Sequence, residues 1–150
     1  MTRFRLVTTC MLTMCDQCLN YSRQKHWTNN FSANITVTNL ATFARVSDAR
    51  TLRKGDVIQI DNYFGSGRTA VRENSDSVFA LKGSKFGTTA AHTWEFVPLQ
   101  DGATTRLVQR ETWEGGVSFL FTRFGPVRPF LKRMFAGFNG EAKQSAEGAE

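Results

Sequence analysis

The feature that most restricts the fold is a pair of alternating segments around one tight turn. Residues 91–115, AHTWEFVPLQDGATTRLVQRETWEG, alternate apolar and polar side chains, break between Pro98 and Gly102, and alternate again. Alternation with a period of two lines one face of a strand with every second side chain, and Asp-Gly is a strong hairpin signal. Proline cannot donate to a strand ladder, which ends the first strand at Pro98. A turn centred on Asp101-Gly102 sets Phe96 against Leu107, Trp94 against Gln109 and His92 against Glu111. Those six share one face; the other, with Thr93, Glu95, Thr104, Arg106, Arg110 and Thr112, is solvated apart from Val97 and Val108.

The same alternation extends the sheet toward the N-terminus. A strand at residues 56–62 follows the turn marked by Gly55, and GRTAVREN and SVFALKG flank the turn tetrad NSDS. FSANITVTN is β-branched and predicts an earlier strand. Counting back through the turns GSKFG, NSDS and YFGSG places Phe79 beside His92, Arg72 beside Phe79, and Ile58 beside Arg72. After EGG the period changes. Val127, Phe130, Leu131, Met134, Phe135 and Phe138 form one face of an amphipathic helix over residues 126–140, with Pro126 and Pro129 in its first turn. Phe130, Met134 and Phe138 are expected to face the sheet, and Lys132, Arg133 and Lys143 the solvent. Leu12, Cys15 and Leu19 have helical spacing and predict a short helix near the N-terminus, although RFRLVTT there can also supply a strand. The fold expected is α+β: a curved antiparallel sheet gripping a long C-terminal helix, with an apolar cavity between them. Residues 1–150 make a single domain, with 1–20 unassigned and 141–150 a frayed tail.

Composition removes several function classes. No apolar run approaches the length of a membrane span, and no clear secretory signal opens the chain. The net charge of +6 comes from 19 basic residues scattered along the sequence, without the stripe that nucleic-acid binding requires, so a basic nucleic-acid-binding module is a weaker reading. Cys10, Cys15 and Cys18 are odd in number and confined to one end, which fits reduced thiols in the cytoplasm rather than a disulfide framework. With His26 they lack the two separated ligand pairs of a zinc site, and neither a metal nor a cofactor is expected. Asn30 and Asn34 head glycosylation sequons that matter only in a secreted chain.

The polar residues on the sheet's inner face carry the functional signal. A buried polar group without a partner costs roughly 1–3 kcal/mol, so Arg72, His92, Gln109 and Glu111 on one apolar face imply mutual pairing, hydration or a ligand. Opposed strand residues have Cβ atoms about 4.5–5.5 Å apart, close enough for Glu111 to orient the His92 imidazole and favour its charged form. The other imidazole nitrogen would then be left for a substrate, with Arg72 about 10 Å away to hold a ligand oxygen. The residues expected to bind that ligand are Arg72, Phe79, Trp94, Gln109, Trp113, Phe130, Met134 and Phe138, with His92 and Glu111 as the acid/base pair.

GDVIQI (55–60), HTWEFVPLQDGATTRLVQRETWEG (92–115) and FLKRMFAGFNGEAKQSAE (130–147) together resemble the START-like helix-grip group, SRPBCC, of polyketide cyclases, dehydrases and lipid-transport proteins. Thr105, Arg106, Leu107, Glu111 and Asn139 match its pattern, and YSRQKHWTNNF (21–31) is similar to its helical segment ending at a tryptophan, here Trp27. The resemblance implies a cavity between sheet and helix that binds a hydrophobic small molecule, such as a polyketide, an aromatic or a lipid-like compound. Some members cyclise or dehydrate that molecule in secondary metabolism; others are non-catalytic carriers or sensors. No shared catalytic motif chooses between an enzyme and a carrier for this chain.

Overall fold

The computed structural model describes residues 3–13, 36–62, 65–85, 87–100, 104–116, 118–121 and 125–147. Seven strands form one antiparallel sheet: β1 (Arg3–Thr13), β2 (Thr36–Asn39), β3 (Val57–Asn62), β4 (Gly65–Asn74), β5 (Val78–Lys85), β6 (Thr88–Pro98) and β7 (Thr104–Gly115). Their order is β1-β7-β6-β5-β4-β3-β2, so β2 to β7 form a meander and the N-terminal strand returns to lie beside the last one. A long helix, α1 (Arg128–Glu147), follows. The curved, unclosed sheet with one C-terminal helix is the expected α+β architecture.

The β6–β7 register is the one read from the hairpin: His92 pairs with Glu111, Trp94 with Gln109 and Phe96 with Leu107. Farther left the counting slips. Leu81 rather than Phe79 lies opposite His92, and Phe79 lies opposite Trp94, a shift of two that keeps both on the inner face. β4 departs more seriously. A bulge between Val71 and Glu73 sets two residues of β4 against one of β5, Asn74 takes the place opposite Phe79, and Thr69 sits opposite Ile58. A bulge inverts which residues face inward. Val71 is therefore buried and Arg72 is exposed, the reverse of the expected placement.

Residues 3–13 form a full-length edge strand on β7, so Leu12 belongs to a strand and not to a helix; Cys15, Leu19 and the rest of residues 14–35, including Cys18, His26, Trp27, Asn30 and Asn34, lie outside the described residues. At the other end the helix continues to Glu147 instead of fraying from residue 141. Six of the seven residues 141–147 are alanine, glutamate, lysine or glutamine, all good helix formers. Gly115 closes β7 with φ +118°, and a Cβ there would lie 2.3 Å from the carbonyl oxygen of Gly87. Only glycine combines that backbone conformation with so close a neighbour.

Two apolar clusters fill the concave side. The larger joins Ile58, Val71, Phe79, Leu81, Phe96 and Leu107 to Val46, Ala49 and Leu52 from the β2–β3 connection, with Trp94 and Phe138 packed against it. Asn74 fastens that connection down by donating to the carbonyls of Ala49 (2.8 Å) and Leu52 (2.7 Å). The smaller cluster holds Trp113, Leu131 and Phe135, with Ala90, Val127 and Met134 against it. Lys132, Arg133 and Lys143 face solvent as expected, but Phe130 does not point at the sheet: it is 41% exposed. The helix is rotated so that Leu131, Phe135 and Asn139 lead its buried stripe. Residues four apart stack on one helix face, which leaves Phe130 at the margin.

Candidate functional site

Between the two clusters runs a polar seam. Along β6 the inward residues pass from Ala90 through His92 to Trp94 and Phe96, and along β7 from Trp113 through Glu111 and Gln109 to Leu107. The polar residues therefore interrupt the apolar face at its middle, where the hairpin register sets them side by side.

Gln109, 1% exposed, directs its amide nitrogen to Nε2 of His92 at 2.8 Å. An amide nitrogen only donates, so with this amide placement His92 Nε2 accepts and the imidazole proton resides on Nδ1. Nδ1 lies 3.9 Å from Oε1 of Glu111, the closest approach of an ion-pair type but beyond hydrogen-bond distance. The expectation that the second imidazole nitrogen stays open is thus corrected, because Gln109 occupies it. The group left open is Glu111, whose carboxyl makes no hydrogen bond among the described residues.

Charge follows burial here and not pairing. The side chains of His92 and Glu111 are only 19% and 15% exposed. Removal from water lowers the His92 pKa from 6.5 to about 3 and raises that of Glu111 from 4.5 to about 8. Desolvation disfavours whichever form is charged, and a partner 3.9 Å away without a hydrogen bond does not offset it. At neutral pH the seam holds a neutral imidazole and a protonated carboxyl, not the charged pair that the strand register alone suggested.

Aromatic rings surround the seam. The His92 ring stacks on Trp94 with centroids 3.8 Å apart and planes at 13°, and Trp94 stacks in turn on Phe79 at 5.6 Å. From the helix, Phe135 meets His92 at 5.3 Å and Phe138 meets Trp94 at 6.3 Å. The α1 backbone comes closest to β1, so these long side chains bridge the gap over β6. Trp94 Nε1 is buried and finds no acceptor among the described residues.

The structure brings together His92, Glu111, Gln109, Trp94 and Phe79, with Phe138 above them and Trp113 and Met134 in the adjoining cluster. Arg72 stays outside because of the bulge, and Phe130 because of the helix phase. Phe135 was not among the ligand-binding residues expected from sequence, yet it is the helix residue in ring contact with His92. Its position one turn before Asn139, itself buried, was the available signal. Among the described residues no group of three or more histidine, cysteine or acidic side chains is placed to hold a metal ion, and no helix is long and apolar enough to cross a membrane.

No family model matches the sequence, and no curated protein matches it in sequence. Known structures do match its shape. A START superfamily protein from Mycobacterium smegmatis superposes with a TM-score of 0.67 at 13% identity, over 97% of this chain and 99% of that one. Norcoclaurine synthase from Thalictrum flavum gives 0.62 at 7% identity, over 95% and 92%. The di-domain ARO/CYC BexL of the BE-7585A biosynthetic pathway gives 0.64 at 13% identity, over 97% of this chain and 50% of its own length. The chain has the START-like helix-grip fold. At these identities the likeness establishes the fold, and the chemistry has to be argued from the seam.

Proposed function

We propose that the domain binds a hydrophobic small molecule between the sheet and α1, with the His92–Gln109–Glu111 seam engaging an oxygen of that molecule. The observation that carries this reading is the unengaged Glu111 carboxyl. It stands in the middle of an apolar, aromatic-rich face, and burial keeps its proton on at neutral pH. A partly desolvated donor with no hydrogen-bond partner among the described residues suits a ligand carbonyl, and small-molecule sites in general are apolar with a few convergent polar groups. Phe79, Trp94, Phe135 and Phe138 supply the apolar contacts, Trp113 and Met134 bound the site toward the second cluster, and Gln109 positions His92. The cyclase and START-like structures that share the fold support the same general role. Localisation in the cytoplasm is part of this proposal.

One observation favours a catalytic version. A neutral imidazole and a protonated carboxyl side by side on the inner face form a complementary base and acid, the pairing that enolisation, cyclisation or dehydration of a keto compound needs. His92 would have to exchange its Gln109 contact for the substrate. Native mass spectrometry of the purified protein tests the binding reading: a retained organic molecule, released by denaturation, is expected. The absence of both a retained molecule and a thermal shift with any apolar ligand would contradict it. His92→Gln and Glu111→Gln then separate the two versions, since loss of turnover with binding retained marks an enzyme and loss of binding alone a carrier.

A further inference from the structure

We propose that the apex of the β2–β3 connection docks the domain on an anionic phospholipid surface, with Phe43 entering the boundary between headgroups and acyl chains and Arg45, Arg53 and Lys54 meeting the lipid phosphates. This surface lies outside the seam, and its role does not depend on what the seam binds.

Phe43 is 82% exposed, the most exposed large apolar side chain among the described residues. Its backbone stands at φ +56°, the one positive value outside glycine among those residues. A bulky side chain avoids that region, and such outliers cluster at functional positions. The conformation belongs to an ordered turn. Asn39 N donates to the Ala44 carbonyl at 3.0 Å, and Asn39 Oδ1 accepts from the amides of Ala41 (2.9 Å) and Thr42 (3.3 Å). These bonds use the backbone and Asn39, so the turn closes without an aromatic ring. Glycine or asparagine would adopt the left-handed conformation with less strain and would leave no ring in water. Packing within the domain does not account for a phenylalanine at this point; a partner that buries the ring does.

The surrounding charge indicates which partner. Residues 40–44, LATFA, carry no charge, and Ala41 and Ala44 are exposed with Phe43. Arg45 follows at once, opposite Thr38. Leu40 N donates to the Val57 carbonyl at 2.9 Å, which sets this apex beside the start of β3, where Val57 is 43% exposed, and beside the turn closed from Asp56 N to Arg53 O. Arg45, Arg53 and Lys54 are all exposed. The acids of this corner are already engaged: Arg50 holds Asp48 at 2.7 Å, and Asp56 accepts from Arg53 N and Asn39 Nδ2. An uncharged apolar apex flanked by cations complements an anionic bilayer, whose interface takes up the ring while its negative potential draws the cations. A nucleic acid would also attract the cations, but Val57 and the two alanines offer bases no stacking surface.

Vesicle flotation at low salt tests the proposal, with phosphatidylcholine alone and with phosphatidylcholine containing about a third phosphatidylserine. The wild-type protein should float with the anionic vesicles and not with the neutral ones, and should be released as salt rises toward ~1 M. Phe43→Gly should weaken binding about tenfold, the scale of a partly buried ring, while unfolding close to the wild-type temperature, because glycine accepts the left-handed backbone. Arg53→Ala combined with Lys54→Ala should weaken it about 25-fold. Absence of binding to the anionic vesicles, or binding that Phe43→Gly leaves unchanged, overturns the proposal. Unfolding of Phe43→Gly far below wild type also overturns it, since the ring would then serve the fold. A short RNA that binds more tightly at the same salt and displaces the vesicles would make this a nucleic-acid surface instead.

Discussion

Replacing Glu111 by glutamine separates two opposite electrostatic pictures of the seam. In the structure the carboxyl is desolvated, and its pKa rises from 4.5 to about 8. A group whose folded pKa is raised binds its proton more tightly in the folded state, so its contribution to stability is complete below pH 4.5 and is lost as the pH climbs toward 8. Glutamine has the same shape and no titration, so the stability of wild type minus that of Glu111→Gln isolates this group, with His92 and all other groups cancelling. Urea denaturation between these limits should show that difference falling by about 1.4 kcal/mol per pH unit. An ionised carboxylate paired with a charged His92 has the reverse sign: its folded pKa is depressed, and wild type would gain on the variant as the pH rises through the carboxylate range. A rising difference, or a flat one, would refute the argument that burial outweighs pairing here.

Other perturbations have equally definite outcomes. His92→Gln should show the complementary limb, in which the wild-type advantage is complete above pH 6.5 and is lost as the pH falls toward 3, again by denaturant titration, because the folded imidazole resists protonation. Phe135→Ala should destabilise by about 3–5 kcal/mol in thermal or urea unfolding, since the ring is 1% exposed and touches both cluster and seam. Phe130→Ala, at 41% exposure, should stay within about 0.5 kcal/mol of wild type; a loss as large as that of Phe135 would contradict the helix phase. Gly115→Ala should destabilise by more than about 1 kcal/mol, because the added Cβ meets the Gly87 carbonyl and the backbone stands at φ +118°.

The sequence makes some of these features legible and hides others for physical reasons. The Asp-Gly turn and strict alternation define the β6–β7 register, and with it the pairing of His92 with Glu111. The register of the two flanking strands is the one that this local signal implies. The bulge at Arg72 has no such local mark: GRTAVREN sets the apolar Ala70 and Val71 side by side, so its pattern does not choose a face, and packing against the connection fastened by Asn74 accompanies the inward turn of Val71 rather than Arg72. Likewise Phe130 and Leu131 are equally apolar, and the sheet selects between them. Leu12, Cys15 and Leu19 suggested a helix by spacing, yet pairing with β7 draws Leu12 into a strand, an instance of tertiary context overriding local pattern. The charge state of the seam was unreadable for a different cause. Register reports proximity, whereas the pKa values depend on how much water the two clusters and Phe135 exclude.

Whether a hydrophobic molecule lodges against the seam between sheet and helix is decided by amide and side-chain NMR shifts on titration with acetylnaphthalene. Saturable changes are expected to concentrate at residues 92–96 and 107–113 of β6 and β7 and at residues 131–139 of α1, together with the Trp94 indole N–H. Changes confined to the outward residues Arg72, Lys82 and Arg106, or no saturable change at all, would contradict binding there.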